Sequence, residues 1–157
     1  MTFSPQLAAY QLAFRTAIAA GLAVAIAQLF RLEYPLYALI AAVIVTDLAP
    51  SQTRQLGLQR LAGTVVGAVL GAALSSLLQP SAWAIGLGIL VTVSLCHLLR
   101  LQGAAKVAGY VCGIVMLEHG EHPWSYALYR LMETVLGISV ALAVSLVPKL
   151  IPPHHRA

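Results

Sequence analysis

Residues 60–73 read RLAGTVVGAVLGAA: an arginine at the mouth of an apolar run in which glycine recurs at Gly63, Gly67 and Gly71. Small residues four apart form a stripe along one helix face, and in lipid such a stripe lets a second helix approach closely. The rest of the chain decides whether lipid is the solvent. Of its 157 residues 60% are hydrophobic and 9% charged, against about 25% charged in a soluble domain. The apolar residues fall into six stretches, approximately 13–30, 35–49, 61–79, 82–99, 103–117 and 131–148, several of them bounded by polar or proline-containing breaks such as APSQTRQLGLQ and EHGEHPWSY. Stretches of that length suit about 30 Å of hydrocarbon, and lipid offers the backbone no partners, so each must be helical. The expected fold class is all-α, a single membrane domain of six spans.

Ser4-Pro5 reads as an N-cap followed by a first-turn proline, so the first helix is expected to begin near residue 5. Ala25-Ile26-Ala27 resembles a signal-cleavage site, but Arg15 sits late for a leader and further spans follow, so the segment is expected to stay. Counting alternate connections places Arg15, Arg54, Arg60, Arg100, Lys106, Lys149 and Arg156 on one side and only Arg31 and Arg130 on the other. Basic residues favour the cytoplasm, so both termini are expected there, with LQPSA and EHGEHP facing outward in an inner-membrane protein. The net charge of +4 is accounted for by topology and gives nucleic-acid binding no support.

The stretch from Arg60 also has a partner. RLAGTVVGAVLGAALS aligns with RLMETVLGISVALAVS from Arg130 at an offset of 70, matching Arg60/Arg130, Leu61/Leu131, Thr64/Thr134, Val65/Val135, Gly67/Gly137, Ala73/Ala143 and Ser75/Ser145. Asp47 and Glu118 each precede their arginine by about a dozen residues, and FRL at 30–32 parallels LRL at 99–101. Three spans per copy is an odd number, so the copies, about 5–79 and 82–148 with a tail at 149–157, are expected to be inverted, as in many transporters. Arg60 then guards one mouth of a passage and Arg130 the other, each at a helix start where the dipole adds positive potential. The second and fifth stretches are the short ones and correspond, either as a pointer to the translocation site or merely as strictly delimited spans.

These motifs resemble the fusaric acid resistance and aromatic acid exporter superfamily, which includes the plant aluminium-activated malate transporters. The resemblance rests on YPLYALIAAVIVTD, LQRLAGTVVGAVLG and YRLMETVLGISVAL and covers nearly the whole chain. Its most specific element, Arg-x-x-Gly-Thr-x-x-Gly, is filled by Arg60, Gly63, Thr64 and Gly67. Asp47, Arg130 with Gly137, and Arg15 also fit the family pattern. The resemblance implies a six-helix domain that moves organic or inorganic anions, often as a dimer. Tyr37 departs from it where tryptophan is common, and a large cytoplasmic domain is not expected within these 157 residues, which bears on regulation and coupling more than on the pore.

The candidate pore residues are thus Arg60, Arg130, Arg15, Thr64 and Thr134. Interfacial arginines also serve simply to fix topology, and a threonine also bonds its own helix carbonyl. Asp47 and Glu118 are expected to pair with the arginines, or alternatively to carry a coupling proton. Gly63, Gly67, Gly71, Gly109, Gly113 and Gly137 are expected to pack helices, within the chain or between copies. Cys96 and Cys112 read as packing residues. His119 and His122 with Glu118 and Glu121 match no zinc signature, so no metal or other cofactor is expected. Trp83, Trp124, Tyr126 and Tyr129 read as interfacial anchors, and His154-His155 as a solvated end. No nucleophile with a base is present, so no enzyme is expected. The expected partners are an anionic small molecule, the lipid bilayer and further copies of the chain, since six short helices make a thin wall. A non-transporting scaffold and a proton-coupled carboxylate exporter are the alternatives.

Overall fold

The computed structural model describes residues 5–118 and 122–147. Among them it holds six helices and no strand: α1 (Pro5–Leu29), α2 (Pro35–Val45), α3 (Pro50–Leu77), α4 (Ala82–Leu98), α5 (Gln102–Glu118) and α6 (Pro123–Leu146). Proline opens four of them, at the position where its missing N–H has no intrahelical partner to lose. This moves two expected starts outward: α3 begins eleven residues before position 61, and α6 eight before 131. Hydropathy marks where a helix becomes apolar, whereas the backbone ladder continues through polar sequence until a cap or proline stops it. Much of what reads as a polar break, PSQTRQLGLQ, is the first three turns of α3.

α1 and α4 end alike. The Leu32 N–H donates to the Ala27 carbonyl (2.9 Å) and the Arg31 N–H to Gln28 (3.0 Å). Leu101 donates to Cys96 (2.8 Å) and Arg100 to His97 (3.1 Å). Both are Schellman closures, and each puts an arginine in the left-handed region, Arg31 at φ 52° and Arg100 at φ 58°.

Packing follows the same correspondence. α3 lies on α5 as α6 lies on α2, and α4 lies on α5 as α1 lies on α2. α1 meets α6 as α4 meets α3, and α3 and α6 meet each other. Exchanging the first three helices for the last three leaves this set of neighbours unchanged. The glycines show why the contacts are close. A Cβ at Gly67 would run into the Ala108 carbonyl oxygen and the Val111 Cβ, and one at Gly137 into the Ala38 carbonyl oxygen and the Ala41 Cβ. Ala38 and Ala41 plus 70 are Ala108 and Val111, so the two crossings are the same contact made twice. Gly63 and Gly71 extend the first crossing, their Cβ positions lying 2.6 Å from the Val107 Cβ and 2.9 Å from the Val115 Cβ. Gly109 and Gly113 face α4 at Val93 and Ile89. All six glycines therefore meet helices of their own chain.

The interior is built largely of small residues with several polar ones among them, and the exterior carries large apolar side chains. Ala19, Ala23, Ala27, Ala38, Ala41, Ala42 and Ala72 are fully buried, together with Thr53, Thr92 and Glu133, while Leu29, Leu77, Leu90, Leu98 and Trp83 point outward. An aqueous domain reverses that arrangement. Among the described residues three helices are long and apolar enough to cross a bilayer: Ala8–Leu29, Pro50–Leu77 and Pro123–Leu146. α2, with 11 residues, is about 16 Å long, and α4 and α5, with 17 each, about 25 Å. The chain is an integral membrane protein with an all-helical fold.

Candidate functional site

The deepest charges gather where α2, α3, α5 and α6 converge. Arg60 is 3% exposed and Arg130 2%. Arg60 Nη1 donates to the Tyr110 hydroxyl on α5 at 2.6 Å, with its guanidinium carbon 5.9 Å from that ring's centre. Arg130 approaches the same ring to 5.7 Å, stacks on Tyr37 at 3.9 Å and donates from Nη1 to the Tyr126 hydroxyl at 3.2 Å. Two cations thus share one aromatic ring, whose negative face offsets part of their repulsion.

This corrects the expectation that they stand at opposite mouths, each at a helix start. With α3 beginning at Pro50 and α6 at Pro123, Arg60 lies about 15 Å and Arg130 about 10 Å along its helix. That depth carries both beyond the first turn and into the interior, where they meet.

The remaining expected residues divide. Thr64, one turn beyond Arg60 on the same face, is 1% exposed and its hydroxyl has no hydrogen-bond partner; the Arg60 Nε–H is likewise buried and unpaired. Thr134, its repeat counterpart, is also 1% exposed. Arg15 does other work: Nη1 donates to the Leu48 carbonyl (3.0 Å) and Nη2 to the Val147 carbonyl (2.9 Å), tying α1 to the α2–α3 connection and to the end of α6. Among the described residues Asp47 pairs with no arginine. Its Oδ1 accepts the Ala49 N–H (3.1 Å) and its own N–H donates to Thr53 Oγ1 (3.0 Å), which shapes the turn into α3. Glu118 closes α5 on the exposed surface. Among the described residues neither interior arginine forms an ion pair with a carboxylate.

Tyr126 is a second correction. Expected at the interface, it is 2% exposed, its hydroxyl bonded to that of Tyr37 and its ring edge-on to Tyr34 at 5.2 Å. Its place on the inward face of α6, one turn before Arg130, decides this. Trp83, Trp124 and Tyr129 are exposed as expected. Cys96 and Cys112 are buried free thiols. His119, Glu121, Ser4 and the tail from 149, with Lys149, His154, His155 and Arg156, lie outside the described residues.

One buried charge escaped the sequence reading. Glu133 is fully buried on α6. Its Oε1 accepts the Tyr34 N–H at 2.7 Å, and its Oε2 has no hydrogen-bond partner. The signal was present, since a carboxylate three residues after Arg130 inside an apolar run is costly and functional by default. It was hidden because the repeat alignment matches identities, and Glu133 stands opposite Gly63.

The chain is 24% identical over 143 residues to the UPF0421 protein YgaE of Bacillus subtilis, covering 91% of this chain and 40% of that protein. It is 25% identical over 141 residues to a UPF0421 protein of Bacillus thuringiensis, covering 90% and 39%, and 24% identical over 139 residues to UPF0421 protein BH2644 of Halalkalibacterium halodurans, covering 88% and 38%. It spans about two fifths of the length of these relatives. No solved structure matches it. The family described as aromatic acid exporter family member 1 matches residues 10–147. That match covers most of the chain, and the chain belongs to the aromatic acid exporter family.

Proposed function

We propose that the chain is the membrane part of an organic-anion transporter and that Arg60 and Arg130 together form its internal anion site. The observation that carries this reading is the pair of buried guanidiniums on one tyrosine ring, two cations with only the single carboxyl of Glu133 buried nearby and no ion pair to it among the described residues. A buried cation is tolerated when a counter-charge is available, and a passing carboxylate supplies one in a geometry that suits a guanidinium fork. The unpaired Arg60 Nε–H and Thr64 hydroxyl are donors available to the same anion. The family's description as aromatic acid exporters favours an organic acid as cargo.

In this reading the helices lie in the bilayer as two inverted triplets, with α1, α3 and α6 crossing it at full length and the shorter α2, α4 and α5 packed among them. The neighbour set that survives exchange of the halves, the doubled glycine crossing and the paired Schellman ends support it. Both termini face the cytoplasm across an inner membrane, by the bias of basic residues, and two copies complete the wall around the pathway. The test is benzoate flux in proteoliposomes. Replacing both arginines by alanine is expected to cut it at least about tenfold, or about 1.4 kcal/mol of barrier. Undiminished flux overturns the anion site. Absence of flux from a stable wild-type oligomer would leave a scaffold.

A further inference from the structure

The interior carboxyl of Glu133 has no part in the anion site as described, and its position beside that site gives it one. From the N-cap along α6, His122, Tyr126, Arg130 and Glu133, with Ser125 and Tyr129 beside them, recur at three- and four-residue spacings and so lie on one side of the helix. The first four in chain order, with Glu33 and Tyr34, line a cavity of about 410 Å³ whose rim residues Glu33, His122, Ser125 and Tyr129 are exposed. The two inner lining residues each hold one of the charges below. The Tyr34 N–H donates to Glu133 Oε1, and the Tyr126 hydroxyl accepts from Arg130 Nη1. Glu133 Oε2, fully buried and without a partner, is left with a free acceptor position inside the protein.

We propose that Glu133 is a reversible proton-binding site that governs the charge of Arg130, so that an anion binds the interior site more tightly when Glu133 carries a proton. The inference rests on the anion reading above and adds the group that regulates it. The step is a plain protonation: Oε2 takes a proton from water of the cavity to form the O–H bond of a neutral carboxyl, and returns it to water on release. Ionised, Glu133 offsets Arg130 and repels an arriving carboxylate; neutral, it leaves the guanidinium's charge to the anion. By linkage, an anion that binds the protonated form better must itself promote proton uptake. The groups facing Glu133 fit this sign. Arg130 and Tyr126 lie on its own helix, Glu33 and Tyr34 come from the α1–α2 connection, Tyr37 from α2, and Arg60 of α3 joins Arg130 at the shared Tyr110 ring of α5. From α1, Arg15 is occupied at Val147, fourteen residues further along α6.

The experiment uses the full chain in lipid nanodiscs and reads two signals. In anion-free protein, infrared difference spectra across a pH titration are expected to contain a carboxyl C=O band that Glu133→Gln removes and whose midpoint moves to higher pH in Arg130→Gln. Absence of such a band, or a midpoint indifferent to Arg130→Gln, overturns the proposal without reference to transport. With benzoate as the probe, wild-type affinity is expected to rise as pH falls, by up to about tenfold per unit for one linked proton. Glu133→Gln, which keeps the acceptor for Tyr34, is expected to bind at every pH as tightly as the protonated wild type. A Glu133→Gln protein with the full wild-type pH dependence overturns the proposal, whereas loss of binding only in Arg60→Ala with Arg130→Ala speaks to the anion site itself.

Discussion

The two halves make the same frame and fill one position of it differently. In the first, Gly63 presses α3 against Ala104 and Val107 of α5. In the second, position 133, seventy residues on, bears a glutamate bonded to Tyr34 beside Tyr37, and these tyrosines are the counterparts of Ala104 and Val107. Where one crossing is closed by bare backbone, the other is opened by a side chain and lined with aromatic rings. The frame is symmetric because packing needs only small residues at the crossings. The chemistry is asymmetric because a single position exchanges no side chain for a carboxyl.

That comparison can be broken most forcefully at the shared crossings. Gly67→Val and Gly137→Val are each expected to abolish stable folding, beyond the usual 1–3 kcal/mol or so of overpacking, because the obstacle is a backbone carbonyl on the facing helix. Recovery of monodisperse protein in detergent measures this, and tolerance in one half alone would end the equivalence. At the divergent position Glu133→Ala is expected to cost about 1–3 kcal/mol by removing the acceptor of the part-buried Tyr34 N–H, with thermal unfolding as the measure. Tyr37→Phe removes only the hydroxyl shared with Tyr126 and is expected to cost about 0.5–1.5 kcal/mol. The smallest effect has the opposite sign. Arg31→Gly and Arg100→Gly are each expected to stabilise the protein by about 1 kcal/mol, since glycine accepts the left-handed backbone without penalty. Equal gains at both ends would sharpen the correspondence of α1 with α4.

Much of this was legible in the sequence, for local reasons. Six apolar stretches, the spacing of Gly63, Gly67 and Gly71, and the offset of 70 are one-dimensional patterns, and the helices follow them. Arg60 and Arg130 stood out as residues, but their depth did not, because hydropathy begins a span where the apolar run begins and the helices begin at Pro50 and Pro123. Asp47 looked like a charge partner for the same reason that it is a turn residue: a carboxylate near a helix start serves either use, and the Ala49 N–H is the group its Oδ1 holds. Glu133 and Tyr126 do not stand out along the chain because only packing shows which face of α6 turns inward, and both lie on it.

The sequence by itself determined the solvent and the secondary structure, since composition and run length dictate lipid and lipid dictates helix. It also determined which faces pack closely, because a glycine stripe has only one use at such spacing. Which charges meet was decided by the tertiary structure alone. Arg60 and Arg130 are 70 residues apart and come from different helices, and the ring they share, Tyr110, belongs to a third. Coulomb interactions depend on separation in space, and that separation is set by how deeply each helix slides past its neighbours, which no periodicity along the chain records.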